Sequence, residues 1–540
     1  MHPTTDDQII SLLIIVAVAA IVFWRRRWRG SGTAYGTSRW RTERELRKAG
    51  MLAGEGLIVG RTFKGALIRL RDFCHVIICG STGSGKGVGV FIPNLLAWFR
   101  TSIVCFDTKG DLYETTGRRR AAKGQRVIRL APFDGGEDSF NPLDTIRADS
   151  PKLVDSGRAL ASALVVRQEN EHEAHWNDKA VELIHAVLVL ILLKFYPEDR
   201  NLNSVQEIIC DRRLLQASVR QLQQIGGIPA RLGNKVEGFF ERGSDELTKE
   251  GVGVISTATR HLSFLDSDLV AKAVSKSTFD PGEFRKPGST LFIQIGPDQL
   301  EAQTGLTRCW TTALVRAIGA SGTEQDGEVL FLLDEASGLN GLPAVEEALV
   351  RGRSAGIRLV LGYQSFSQIT DAFKNKPTLL FDNSATLVHL GAASSYEGAD
   401  RLSKTIGEWT QVVEQYGENE SRPRNGFSQQ GDQGSYGTSV TYSETGRPLL
   451  RADEILQQSN DTVIILQRGD YPILAQRVKW YQDPEFNPAV RKQVNSTRPR
   501  WRDLITPIWR QPSRASVVVR LVAAAILGLI LLAMANQAHR

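Results

Sequence analysis

The sequence predicts an α/β protein: a parallel sheet interrupted by an all-helical insertion, with a long apolar segment near each end of the chain. Three observations predict it. Short apolar runs recur at 75–80 (HVIICG), 102–107 (SIVCFD) and 126–131 (RVIRLA), each followed by a Gly/Asp-rich turn or a helical stretch. That alternation is the mark of a parallel sheet. Runs of the same kind return only at 290–295, 328–335, 357–364, 385–391 and 462–467, leaving residues 145–286 helical in character. The third observation is a pair of longer apolar runs, at 9–24 and 515–535.

The two terminal runs are read first. A helix needs about 20 mostly apolar residues to span a bilayer, and each run approaches that length. A cleaved signal peptide carries its positive charge before the apolar core; here TTDD precedes the first run and RRRWR follows it, so it reads as an uncleaved anchor. The second run carries Arg520 one turn in, placed to snorkel to the headgroups. Residues 25–48 hold nine Lys/Arg against two Glu, and residues 491–520 hold eight against one Asp. Basic flanks face the cytoplasm, so everything between the spans is expected there. Those flanks carry +7 each, residues 1–24 carry −2 and Arg540 adds +1, which leaves the core at −6 within a total of +7. The basic balance therefore reports the membrane and excludes a general nucleic-acid-binding coat.

Within the core, LIHAVLVLILL (183–193) is too short to cross a bilayer and predicts a buried helix. Residues 50–72 read as a short lead-in, and the Gly-, Ser-, Gln- and Asn-rich stretch 417–446 as a long mobile loop. The five cysteines form no CxxC pair, so they read as small buried hydrophobes. His172 and His175 resemble a zinc-protease pair but are three residues apart, one short of the i,i+4 spacing that such a site needs.

Chemistry concentrates at GSTGSGKG, comprising Gly80, Ser81, Thr82, Gly83, Ser84, Gly85, Lys86 and Gly87. The loop lies between a predicted strand and an apolar helical run, as a phosphate loop must. Its glycines let backbone N–H groups turn toward phosphates, Lys86 supplies a point charge, and the helix offers its positive N-terminus. Gly87 stands where a hydroxyl ligand for Mg²⁺ usually follows the lysine. The second element is VLFLLDEA, an apolar strand ending in Asp334 and Glu335. Aspartate there is placed to hold Mg²⁺ through water, and the glutamate to activate the attacking water. Together they predict hydrolysis of a nucleotide with Mg²⁺. Gln364 follows IRLVLGY and is a candidate for contact with the γ-phosphate or lytic water. Arg351 and Arg353 follow the acidic strand; Arg353 is carried forward as an arginine finger reaching a neighbouring subunit, the alternative being surface arginines at a helix end. Asp107 ends the second strand at the same sheet edge, with its role open.

From YGTSRW (35–40) to YQDPEF (481–486), the chain resembles the coupling proteins of type IV secretion, the TraG-like conjugative ATPases. FDTKGDLYE (106–114), FNPLD (140–144), HWNDKA (175–180), LLDEASGL (332–339), GRSAGI (352–357), GYQSFSQI (362–369) and RPLLRADEI (447–455) carry the resemblance with the phosphate loop. It implies that the nucleotide is ATP, held by a RecA-like P-loop ATPase domain with an inserted all-α domain, to which the apolar runs of this sequence add N- and C-terminal transmembrane helices. It also implies a homo-hexamer at the inner membrane, with relaxase-bound single-stranded DNA and type IV secretion channel components as partners. Lys86, Asp334, Glu335 and Gln364 match the family's site residues. On this reading 1–24 is the anchor, 25–72 a membrane-proximal basic segment, 73–144 and 287–490 the two parts of the nucleotide-binding domain, 145–286 the all-alpha domain, 491–514 a basic linker and 515–535 the C-terminal span. Many family members instead place two spans near the N-terminus. Competing readings are a coupling ATPase for protein effectors only and a membrane assembly platform with a regulatory nucleotide site. A double-stranded DNA pump fits less well, because no DNA-reading domain precedes the second span.

Overall fold

Eleven strands form one mixed sheet in the order β2-β1-β13-β12-β9-β3-β8-β7-β4-β6-β5. The computed structural model of the chain describes residues 33–98, 101–166, 174–339, 341–373, 379–421 and 435–491. Both apolar terminal runs lie outside the described residues. The strands are β1 (Leu57–Arg61), β2 (Leu67–Leu70), β3 (His75–Cys79), β4 (Ser102–Phe106), β5 (Arg126–Leu130), β6 (Ser289–Ile293), β7 (Val329–Leu333), β8 (Ile357–Tyr363), β9 (Thr386–Leu390), β12 (Thr462–Gln467) and β13 (Ile473–Gln476).

From β9 to β5 all seven strands are parallel. β12, β13, β1 and β2 extend the sheet antiparallel on one side. β3, β4, β7, β8 and β9 are buried at every position, which is why they are continuous apolar runs without polar alternation. All eight strands expected from the sequence are present.

Two expectations need correction. The lead-in at 50–72 contains β1 and β2, which pair with each other and with β13, so part of the basic membrane-proximal segment is built into the sheet. They are short, and β1 carries a register irregularity between Ile58 and Gly60, which weakens the period-2 signal. The stretch read as a mobile loop contributes to a two-stranded ribbon, β10 (Glu408–Ser421) against β11 (Ser435–Pro448), paired residue for residue. The two strands satisfy their backbone groups against each other along their length, in a segment whose composition is loop-like; the Val, Thr and Tyr residues within it were the available signal.

Between β5 and β6 the regular elements described are helices, the longest being Leu153–Leu164, Ala174–Lys194, Arg212–Ile225 and Lys249–Leu262. Ala174–Lys194 is buried all round from Leu183 to Leu192, as a core helix must be when no face is polar. Among the described residues no helix is long and apolar enough to cross a membrane. Caps fix where these helices begin: the Asp211 carboxylate accepts from Arg213 N at 2.7 Å and Leu214 N at 3.1 Å, and Thr248 Oγ1 accepts from Gly251 N at 2.9 Å.

Two side chains tie the stretch between β5 and β6 to the elements that follow it. Trp310, fully buried on helix Thr304–Ala320, donates to Phe140 O at 3.0 Å. Arg285 sits where the chain returns to β6 and donates to the carbonyls of Gly327 (2.8 Å), Ala355 (2.6 Å), Gly322 (3.1 Å) and Ile318. It thereby satisfies carbonyls left open at the end of helix Thr304–Ala320 and beside β7 and β8. Residues up to Trp480 belong to one unit. Of the second unit, 481–540, the described part ends at 491, where Asp483 accepts from Glu485 N at 2.8 Å.

Candidate functional site

Strand order decides what meets what. β8 lies between β3 and β7, with Cys79 opposite Tyr363 and Leu361 opposite Leu333; β4 pairs on the far side of β7. All four run the same way, so Gly80, Gln364, Asp334 and Asp107 leave the sheet along one edge, where open α/β sheets bind ligands.

The loop after β3 is pinned at both ends. Gly80 N donates to Tyr363 O at 3.1 Å, Ser84 N to Ser81 O at 3.0 Å, and Gly89 N to Gly85 O at 2.7 Å. Gly83 and Gly85 have φ of 82° and 84°, left-handed conformations that strain any other residue. Lys86 Nζ arches over the loop to donate to Gly80 O at 2.6 Å. A wide helical turn at Gly87–Phe91 leads into helix Ile92–Ala97. Behind it, the buried Asn94 side chain accepts from Ile58 N at 2.7 Å and donates to Ile58 O at 2.8 Å, clamping the helix to β1.

The acidic pair follows β7 beside this loop. Gly362 on β8 is needed here, because a Cβ would collide with Asp334 O. Asp334 Oδ1 is sealed from solvent without a hydrogen-bond partner. Burial pushes its carboxyl up to about 6, opposed chiefly by Lys86. Burial likewise lowers the Lys86 ammonium, opposed by Asp334 and Glu335. A buried carboxylate oxygen lacking a donor, facing a depressed lysine, fits a hard divalent cation. Glu335 is held at both oxygens: Oε2 accepts from Gln364 Nε2 at 2.7 Å, and Oε1 accepts from Ser337 Oγ. Thr82 Oγ1 donates to Gln364 Oε1 at 3.1 Å. One chain of hydrogen bonds thus runs from the phosphate loop through Gln364 to Glu335.

The structure therefore brings together Gly80 to Gly87, Asp334, Glu335 and Gln364. Arg353 is not brought there within the chain. It lies just before β8, at the opposite sheet edge, exposed and 3.9 Å from Asp72. Asp107 is occupied in holding the fold. Its carboxylate accepts from Leu112 N (3.3 Å) and Tyr113 N (2.8 Å) at the start of helix Asp111–Ala122 and from Gln294 Nε2 (3.2 Å). Burial raises it, while the two backbone donors oppose that shift. His175 meets Glu250 at 3.1 Å; His172 lies outside the described residues, among which no metal-binding cluster occurs. Sequence reasoning missed Ser337, whose signal was its place two residues after Glu335. It also missed Arg477, which donates to Ser84 O at 2.9 Å across 393 residues and leaves no local signal. Cavities of about 720 and 280 Å³ lie elsewhere, and neither is lined by the loop or the acidic pair.

Comparison with known proteins gives a consistent picture. The family described as "Type IV secretory system Conjugative DNA transfer" matches residues 39–500. Protein VirD4 of Rhizobium radiobacter is 25% identical over 476 residues, covering 86% of this chain and 66% of the relative. Conjugal transfer protein TraG of Escherichia coli is 26% identical over 527 residues, covering 88% and 80%. The chain thus spans about two thirds of the length of that VirD4 protein. Among solved structures, plasmid coupling protein TrwB in complex with ADP and Mg²⁺ superposes with a TM-score of 0.58 at 17% identity, covering 85% of this chain and 98% of that one. At that identity the likeness establishes the fold alone: an α/β architecture on a large mixed sheet, shared with that coupling protein.

Proposed function

The chain belongs to the conjugative DNA-transfer family of type IV secretory systems, and from that premise we propose that it is a coupling ATPase which delivers relaxase-bound single-stranded DNA to the secretion channel. The observation that carries this reading is the hydrogen-bonded chain Thr82–Gln364–Glu335 beside Lys86 and the unpartnered Asp334 oxygen. The names of its relatives, a conjugal transfer protein TraG and a plasmid coupling protein TrwB in complex with ADP and Mg²⁺, support nucleotide-dependent coupling in conjugal transfer.

ATP lies with its phosphates on the inward-turned amides of the loop. Lys86 leaves Gly80 O and moves its charge to the outer phosphates. Asp334, whose buried Oδ1 lacks a donor, would hold Mg²⁺, and the ion would supply positive charge against the phosphates. Gly87 has no hydroxyl to offer such an ion, so water would take that place, which Mg²⁺ readily accepts. Gln364 turns its amide from Glu335 toward the γ-phosphate. Glu335 accepts a proton from the water whose oxygen attacks the γ-phosphorus, and the ADP oxygen leaves toward Lys86.

Arg353, exposed at the far edge, is the group that a neighbouring subunit of a hexameric ring presents to this site. DNA contacts are local to channel-facing loops, since the −6 core offers no general basic coat. The apolar runs at 9–24 and 515–535 anchor the chain in the inner membrane with the motor on the cytoplasmic side.

The test is ATP turnover by the full chain with and without single-stranded DNA, for wild type and Lys86→Ala. Stimulation by DNA that vanishes in Lys86→Ala is expected. Turnover indifferent to DNA, with protein cargo still secreted, favours a protein-effector system. Unchanged cargo transfer by Lys86→Ala refutes the motor and leaves the assembly platform standing.

A further inference from the structure

The phosphate loop is gripped from behind by a residue that belongs to neither nucleotide motif. β12 and β13 carry the sheet beyond β9, and the chain leaving β13 brings Arg477 against the loop. Its Nη1 donates to Ser84 O at 2.9 Å. Its Nη2 pairs with Asp461 Oδ1 at 2.8 Å, and Lys479 Nζ holds the other Asp461 oxygen at 2.6 Å. The backbone repeats the link, with Arg477 N donating to Asp461 O at 2.7 Å. The side chain is only 14% exposed, and its Nε is sealed off without a partner.

Two glycines of the loop and the turn after it are shaped to this side chain. A Cβ on Gly85 would land on Arg477 Nη1, and one on Gly89 would sit 2.8 Å from Arg477 Cγ. Gly85 also needs its left-handed φ, but Gly89 is not among the positive-φ glycines. Backbone conformation therefore does not account for Gly89, and the arginine stem does.

We propose that Arg477 is a positioning residue for ATP binding, clamping the Ser84 carbonyl to the β12–β13 hairpin so that the loop amides stay turned toward the phosphates. A carbonyl fixed outward by a charged donor prevents that peptide from flipping its N–H away from the ligand. Asp461 holds the guanidinium in register, so an element at the edge of the parallel block sets the quality of a site built by its centre.

The inference rests on the reading that this loop binds ATP, and the test separates the two. The dissociation constant for ATP is measured on the full chain with a fluorescent analogue, alongside melting without nucleotide. Arg477→Ala is expected to weaken binding by about tenfold, the loss of one charge-assisted hydrogen bond. Arg477→Lys, which keeps the charge and most of the stem, is expected to fall between the two. Asp461→Asn leaves the arginine intact, and weakening of about threefold is expected.

A double mutant distinguishes positioning from a merely structural role. Gly89→Ala should weaken ATP binding in the wild-type chain, but by less than about twofold when added to Arg477→Ala, where the colliding stem is gone. Equal damage from Gly89→Ala in both backgrounds overturns the inference. So does an ATP affinity unchanged in Arg477→Ala or, should that variant fail to fold, in Asp461→Asn. A wild-type chain that binds ATP without ever hydrolysing it contradicts the proposed function, while the binding comparison still decides the role of Arg477.

Discussion

Gly87→Ser restores the hydroxyl that usually follows the lysine of a phosphate loop, and the local geometry predicts that the loop accepts it. A Cβ at Gly87 meets nothing nearer than Asp111 Oδ2 and Leu112 Cδ2, both at 4.0 Å. Gly87 is not among the positive-φ glycines, and it opens the helical turn Gly87–Phe91. Serine there carries no steric cost and gains about 0.5 kcal/mol of helix propensity over glycine. In a chain of 540 residues that raises the melting temperature by only about 0.4 °C. Two positions back the outcome reverses: Gly85→Ala imposes a left-handed alanine costing about 1–2 kcal/mol and drives its Cβ onto Arg477. The assay is thermal unfolding of the full chain together with ATP turnover across a Mg²⁺ titration. Gly87→Ser should keep turnover and reach its half-maximal rate at lower Mg²⁺ than wild type, because a hydroxyl replaces one water. Loss of nucleotide binding in Gly87→Ser would show that the glycine is required for loop geometry and refute the reasoning.

Two further outcomes arise from the buried charges. His75 and His389, on the two strands β3 and β9, are held down at about 4 by burial, with Arg358 adding to the effect at His75. A histidine depressed in the folded state leaves stability full above its unfolded value near 6.5 and withdraws it as pH falls toward 4, by about 3 kcal/mol per residue. Denaturant unfolding at pH 7 and pH 4.5 should show that loss, and His389→Leu should remove about half of it; an unchanged pH slope contradicts the burial argument. Arg285→Ala should destabilise by at least about 3 kcal/mol, since it strands several carbonyls at once, and a loss below about 1 kcal/mol would show that water replaces the guanidinium.

The parts of this molecule that could be read from its sequence are those in which one local pattern has one physical cause. Strands buried on both faces must be apolar runs, so β3, β4, β7, β8 and β9 were visible, as was the buried helix around Leu183–Leu192. The phosphate loop and the Asp334–Glu335 pair were visible because glycines, a lysine and carboxylates at fixed offsets have few other uses. Gln364 could be placed only through its strand, yet the order β3-β8-β7 puts it between the loop and the acids. What remained hidden depends on pairings distant in the chain. β1 and β13 take their place from each other, the β10–β11 ribbon pairs chiefly with itself, and the grip of Arg477 on Ser84 spans almost the whole core. Arg353, expected to serve a neighbouring subunit and not its own site, stands exposed at the opposite sheet edge, a place that its residue type alone did not disclose.

If hydrolysis at this site drives DNA transfer, Glu335→Gln must abolish transfer while sparing nucleotide binding. The variant keeps the side-chain shape beside Gln364 and Ser337 but cannot accept the proton of the attacking water. Plasmid transfer frequency is measured from donor cells whose sole coupling protein is this chain or the variant, with ATP binding by the purified proteins as control. The account predicts that Glu335→Gln binds ATP as tightly as wild type while transfer falls to the level of cells lacking the protein. Wild-type transfer by that variant would contradict it.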